Sequence, residues 1–199
     1  MAYSISNNVD KQEFDKRFKG QKNGLYIGLA SVAMVFAGFT SAFLVRRASG
    51  GWTTYLLPDI FWISTIVILT SSASLFFARY FFNKNQFTAY RWSLVSTFLL
   101  GVVFLFLQKS GWDTLKTTGV WVDGTPSGSF FYLISWFHAA HIVGGLFVLL
   151  FALYRSLTKF FDIPRKFTVV SNGLTLTSIY WHFVDILWVY LFLFIVWYN

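Results

Sequence analysis

RWSLVSTFLLGVVFLFLQ, residues 91–108, is the stretch whose reading sets the number of membrane crossings in this chain. Sixteen uncharged residues, 92–107, lie between Arg91 and Gln108. A helix rises 1.5 Å per residue and the hydrocarbon core of a bilayer needs about 20 apolar residues, so the run alone is short. It crosses only if its polar flanks snorkel to the headgroups. The other candidates are longer: 25–45, 60–82, 130–154 and 174–198, with Arg79 the only Lys, Arg or Glu inside them.

The basic residues decide the count. With five crossings, Lys11, Lys16, Arg17, Lys19, Lys22, Arg79, Lys84, Arg91, Arg155, Lys159, Arg165 and Lys166 share one side, and Arg46, Arg47, Lys109 and Lys116 the other. Leaving 92–107 outside the membrane splits the same 16 residues ten to six. Basic loops are retained on the cytoplasmic side, so the sharper asymmetry favours five crossings, a cytoplasmic N-terminus and a periplasmic C-terminus. The expectation is an all-α membrane protein, a bundle of five transmembrane helices. Residues 1–23 are its polar cytoplasmic tail and 24–199 a single transmembrane domain.

Composition agrees. Hydrophobic residues make up 56% of the 199 and charged residues only 12%, against about 25% charged in soluble domains. Mean hydropathy is +0.57. Cysteine is absent, which removes disulfides, zinc ribbons, iron–sulfur clusters, thiolate copper sites and cysteine nucleophiles. The net charge of +8 is explained by the retained loops, and no nucleic-acid partner is expected.

Loop chemistry supports the boundaries. Pro58 with Asp59 is expected to open the second span, and Pro126 with Ser127 and Ser129 the fourth, by fixed φ and side-chain capping. Gly20, Gly24 and Gly28 fall four apart, as do Ala33, Ala37 and Ser41, so the first span offers two small-residue stripes suited to close helix approach.

Few polar residues lie in the membrane. His138, His141 and His182 are the only histidines, and Asp185 is the only carboxylate deep in a span. An aspartate at mid-bilayer costs about 2.5–3.5 kcal/mol on insertion scales and is normally paired or faces a cavity. His141 and Asp185 both fall near the middle of antiparallel spans. Each helix carries its two polar residues three apart, hence on one face. A metal site, a haem site, a proton relay or an interhelical hydrogen-bond cluster could be built from the four, the last being the commonest such arrangement. The depths single out His141 or His138 as the partner of Asp185, with His182 supporting. A di-iron bundle would need several inward Glu-x-x-His motifs, and no glutamate follows Glu13. Nucleophile elbows, phosphate-cradling loops and H-E-x-x-H helices are absent. One carboxylate and an odd span count speak against a coupled transporter. Arg46, Arg47, Arg79 and Arg91 sit at span ends, where guanidinium groups meet lipid phosphates or simply snorkel.

The run Tyr180-Trp181-His182-Phe183-Val184-Asp185-Ile186-Leu187-Trp188 resembles the C-terminal signature of subunit III of haem-copper oxidases, the cytochrome c and quinol oxidase superfamily. Phe137-His138-Ala139-Ala140-His141-Ile142-Val143-Gly144-Gly145 is similar to its Phe-His-x-x-His-x-x-x-Gly. Residues 37–43 and the stretch from Leu100-Gly101 through Gln108 add support, and the likeness runs in order over residues 24–198.

That resemblance implies the five-helix form of a family whose other members have seven. It implies an accessory subunit with no catalytic residue, haem or metal of its own, beside subunits I and II that carry haem and copper. Its implied role is to bind phospholipid between helix groups and keep turnover and proton uptake stable, in a bacterial inner membrane. Three histidines are too few for two haems and a copper. Relatives often carry a glutamate where this chain has Val32, an acid where it has Gly111, and a glycine where it has Trp136. Open at this point are quinol oxidase or nitric oxide reductase assemblies, a small b-type cytochrome, a transporter, the haem type and membership of a larger respiratory supercomplex.

Overall fold

The computed structural model describes the backbone of residues 2–157 and 164–199, and the side chains of 12–157 and 168–199. Five helices follow one another: α1 Ala2–Ala48, α2 Ile60–Asn83, α3 Phe87–Thr117, α4 Pro126–Leu157 and α5 Pro164–Tyr198. All five contain stretches long and apolar enough to cross a membrane, and no strand occurs among the described residues. The short third run proves to be the middle of a 31-residue helix. At 1.5 Å per residue that helix exceeds the hydrocarbon thickness, so residues beyond Arg91 and Gln108 continue the helix into the headgroup layer. Residues 2–23 are likewise helical and continuous with the first span. No proline precedes Pro58 to interrupt them.

The turns are made by local chemistry. α2 ends with Asn85 at φ 57°, while the Gln86 N–H donates to Phe81 and that of Asn85 to Phe82. α3 ends in the same way: Gly119 sits at φ 85°, and the amides of Val120 and Gly119 donate to Leu115 and Lys116. Both are left-handed caps that satisfy the last carbonyls and reverse the chain. At the helix starts the expected caps differ. Asp59 makes no side-chain cap bond; its carbonyl accepts from Trp62 and Ile63 instead, because its own backbone is already helical. At α4 the capping hydroxyl belongs to Thr125, which accepts from the Gly128 N–H at 3.3 Å, one residue before the proline rather than after it.

α2, α3, α4 and α5 close an up-down-up-down ring of four packed helices, and among the described residues α1 leans on α4 and α5 and touches neither α2 nor α3. The core is aromatic and aliphatic, with Phe61, Ile68, Phe104, Ile134, Trp181 and Trp188 essentially sealed. The polar residues of the spans turn the same way: Ser64, Ser71, Thr97, Gln108, Ser135, His138 and Asp185 are buried, while Ile66, Phe76, Phe106, Phe147 and Ile186 face outward. A bundle solvated by lipid sorts its residues in this sense, because lipid chains reward no burial of apolar groups and satisfy no polar ones.

Candidate functional site

Two tryptophans of α5 hold the ring of helices together. The Trp181 indole N–H donates to Ser71 Oγ of α2 at 3.1 Å, and that hydroxyl in turn donates to the Thr97 carbonyl of α3 at 3.2 Å. The far edge of the same ring lies against Gly101 of α3 and Gly145 of α4, where an added Cβ would stand 2.8 and 2.9 Å from ring carbons. Only glycine leaves room for the indole at those two positions. Two turns further along α5, Trp188 donates to Thr65 Oγ1 of α2 at 3.0 Å and meets Phe104 of α3 edge-on at 5.3 Å. One helix thus supplies two cross-pieces, each touching the other three helices of the ring.

The four polar residues expected to cluster take separate positions. His138 is fully buried, tilted over Trp188 at 5.1 Å with Phe104 and Phe36 around it. Neither of its ring nitrogens has a hydrogen-bond partner. His141 is part-exposed and turned toward Phe36 of α1 at 5.5 Å. Its Nδ1 bonds the Phe137 carbonyl of its own helix at 2.6 Å, and the Tyr180 hydroxyl donates to the His141 carbonyl at 2.9 Å. His182 faces α2, with Nδ1 2.5 Å from Ser72 Oγ. Asp185 is buried on the stripe between Trp181 and Trp188, and neither carboxyl oxygen has a hydrogen-bond partner.

The expected imidazole–carboxylate bond between α4 and α5 is therefore not made. The depths do match, since Gly145 lies against Trp181 and His138 against Trp188, which puts His141 level with Asp185. The azimuths do not. Asp185 lies three residues from both His182 and Trp188 and four from Trp181, on the side of α5 that these residues turn to α2, whereas His141 looks toward α1. Nor does Asp185 orient His182 as a nucleophilic relay would require, because it bonds neither ring nitrogen. Among the described residues no three His, Cys, Asp or Glu side chains are grouped to hold a metal ion.

The span-end arginines are partly spent inside the chain. Arg46 donates to Ser49 Oγ at 2.7 Å and the Gly50 carbonyl at 2.8 Å, closing the end of α1. Arg91 donates to the Ser156 carbonyl of α4 at 2.9 Å. Arg47 lies over the Tyr198 ring at 5.8 Å, and Arg79 is exposed. A groove of about 570 Å³ opens elsewhere, between the N-terminal half of α1, the end of α4 and the start of α5. Phe14, Phe18, Val148, Phe151 and Leu174 give it apolar walls, while Arg17, Gln21, Arg155 and Asn172 bring polar groups to it. None of the three histidines lines it. Sequence reading assigned Arg17 and Arg155 only to charge asymmetry, because nothing in either one's own neighbourhood says that α1 and α4 meet there.

The family description "Cytochrome c oxidase subunit III" matches residues 11–199. The chain belongs to the cytochrome c oxidase subunit III family. It is 30% identical over 179 residues to the probable cytochrome c oxidase subunit 3 of Mycobacterium tuberculosis, covering 85% of this chain and 83% of that one. To the Nocardia farcinica protein of the same description it is 33% identical over 176 residues, with 85% and 83% covered. To cytochrome c oxidase subunit 3 of Pongo abelii the identity is 30% over 192 residues, with 91% and 70% covered. The stretches that carried the resemblance to the subunit III family are those that assemble the core: Trp181 and Trp188 form the cross-pieces, and Gly101 and Gly145 make room for the first of them.

Proposed function

We propose that this chain is a supporting, non-catalytic subunit of a cytochrome c oxidase in a bacterial inner membrane, with its N-terminus in the cytoplasm and its C-terminus in the periplasm. Subunits I and II would hold the haem and copper; this chain binds neither and stabilises the assembly. The observation that carries the reading is how the polar groups of the spans are used. Hydroxyls and indoles bond helix to helix, and the enclosed His138 ring presents no nitrogen to the 570 Å³ groove.

That groove supports the lipid part of the reading. Apolar walls suit acyl chains, and Arg17, which also donates to Glu13 at 3.1 Å, and Arg155 bring positive charge that suits a phosphate. Residues 1–23, read as a cytoplasmic tail, would then form one wall, since Phe14, Arg17 and Phe18 belong to them.

The test is to purify the complex through a tag on this chain in mild detergent. Subunits I and II and haem absorbance are expected with it, and no haem absorbance from the chain expressed alone. Stoichiometric iron on the isolated chain would overturn the reading. Arg17→Ala with Arg155→Ala is expected to lower the anionic phospholipid retained by the complex, read by mass spectrometry, with subunit stoichiometry unchanged.

A further inference from the structure

Resting on the lipid reading of the groove, we propose that Glu13 selects its headgroup, favouring phospholipids that carry a primary ammonium over those that end in an uncharged alcohol. Glu13, Arg17 and Gln21 stand four residues apart on α1. Their side chains therefore share one face and succeed one another by about 6 Å along the axis. Arg17 and Gln21 line the groove. The Glu13 carboxylate accepts from Arg17 Nη2 at 3.1 Å, which places it at the outer rim.

The order along α1 is the order of polar groups in a phospholipid. The apolar part of α1 begins at Leu25, so Gln21 is nearest the hydrocarbon, Arg17 a turn further out and Glu13 a turn beyond that. Glycerol esters, phosphate and headgroup amine follow one another in the same sense from the acyl chains toward water. The Gln21 amide is a donor for an ester carbonyl, Arg17 for a phosphate, and Glu13 an acceptor for an ammonium. The opposite wall adds a second cation. Phe36 meets His138 and Phe39 meets Phe137, and this antiparallel register of α1 and α4 brings Arg155 to the level of Gln21. A phosphate lodged between Gln21 and Arg17 then meets guanidinium groups on both walls.

Charge decides what lies beyond the phosphate. Among the described residues, Arg17 and Arg155 are the charged side chains that line the groove, and Glu13 brings a negative charge to its rim. A headgroup that is anionic and nothing else sets its phosphate against the guanidinium groups but leaves Glu13 beside a like charge. A terminal ammonium completes a row of alternating sign: phosphate, guanidinium, carboxylate, ammonium. Asp15 carries the same charge two residues further on, and so points away from this face.

The test equilibrates the tagged complex with vesicles of equal phosphatidylethanolamine and phosphatidylglycerol, exchanges it into mild detergent, and measures the retained lipids by mass spectrometry. The wild type is expected to be enriched in phosphatidylethanolamine. Glu13→Gln should lower the ratio of the two lipids by roughly two- to fivefold, the range of an exposed ion pair, with the total retained unchanged. Asp15→Asn, which removes an equal charge outside the row, should leave the ratio as it is. An unaltered ratio in Glu13→Gln, or an equal fall in both variants, would overturn the headgroup assignment while the groove still held lipid. If Arg17→Ala with Arg155→Ala removes neither lipid, the lipid reading itself fails.

Discussion

α1 and the four-helix ring use small residues in opposite ways. A Cβ added at Gly20, Gly24, Gly28 or Gly38 of α1 meets nothing within 4 Å, whereas one added at Gly101 or Gly145 runs into Trp181 and one at Gly111 into Phe61. Equal-looking glycines thus do unequal work. In the ring they admit a bulky side chain from another element of the same chain; on α1 they face away from it. The polar residues divide less sharply: Ser71, Thr65 and Ser72 all bond α5, and on α1 Thr40 meets the Tyr190 hydroxyl of α5 at 3.1 Å, while Ser31 only returns to the carbonyl four residues back at 3.0 Å. The ring folds on itself, and α1 keeps much of its surface for whatever surrounds it.

The largest expected effect breaks the ring. Gly145→Leu places a branched side chain where even a Cβ stands 2.9 Å from Trp181, and the indole cannot retreat because Gly101 confines its other edge. Overpacking of this kind costs about 3 kcal/mol or more when neighbours are rigid. A loss of folded yield and a lower unfolding temperature in detergent are expected. Trp181→Phe should act in the same direction but more weakly. It removes the donor to Ser71, about 1 kcal/mol, and leaves a void between the glycines, for a total of about 2–3 kcal/mol. The same thermal scan measures both, and restoring room by pairing Gly145→Ala with Trp181→Phe should recover part of the loss.

The same contrast explains what could be read from residue order. Span count was legible because charge asymmetry and length act along the chain, and they recovered even 92–107. Depth was legible too, since 1.5 Å per residue places His141 level with Asp185. Azimuth was not. A spacing of three puts His182 and Asp185 on one face of α5, but which helix meets that face depends on how four others pack, and Trp181 with Trp188 assigns it to α2. The glycine stripe of α1 failed for the same reason: four-residue spacing permits close approach without naming a partner. The caps expected from Asp59 and from Ser127 and Ser129 were misread on a smaller scale, because capping depends on the φ and ψ of one residue.

The smallest expected effect sharpens the comparison. Gly24→Leu puts on α1 the same side chain that Gly145→Leu puts on α4, yet its Cβ enters open space. Leucine is also the better helix former by roughly 0.5–1 kcal/mol, so the chain alone should unfold at an unchanged or slightly higher temperature. A clear destabilisation would mean that α1 packs in the membrane against parts of this chain it does not touch in the structure. Because the variant leaves folding intact, any fall in the yield of co-purifying oxidase subunits would belong to a contact outside the chain. That separates assembly from stability in a way that no substitution at Gly101 or Gly145 can.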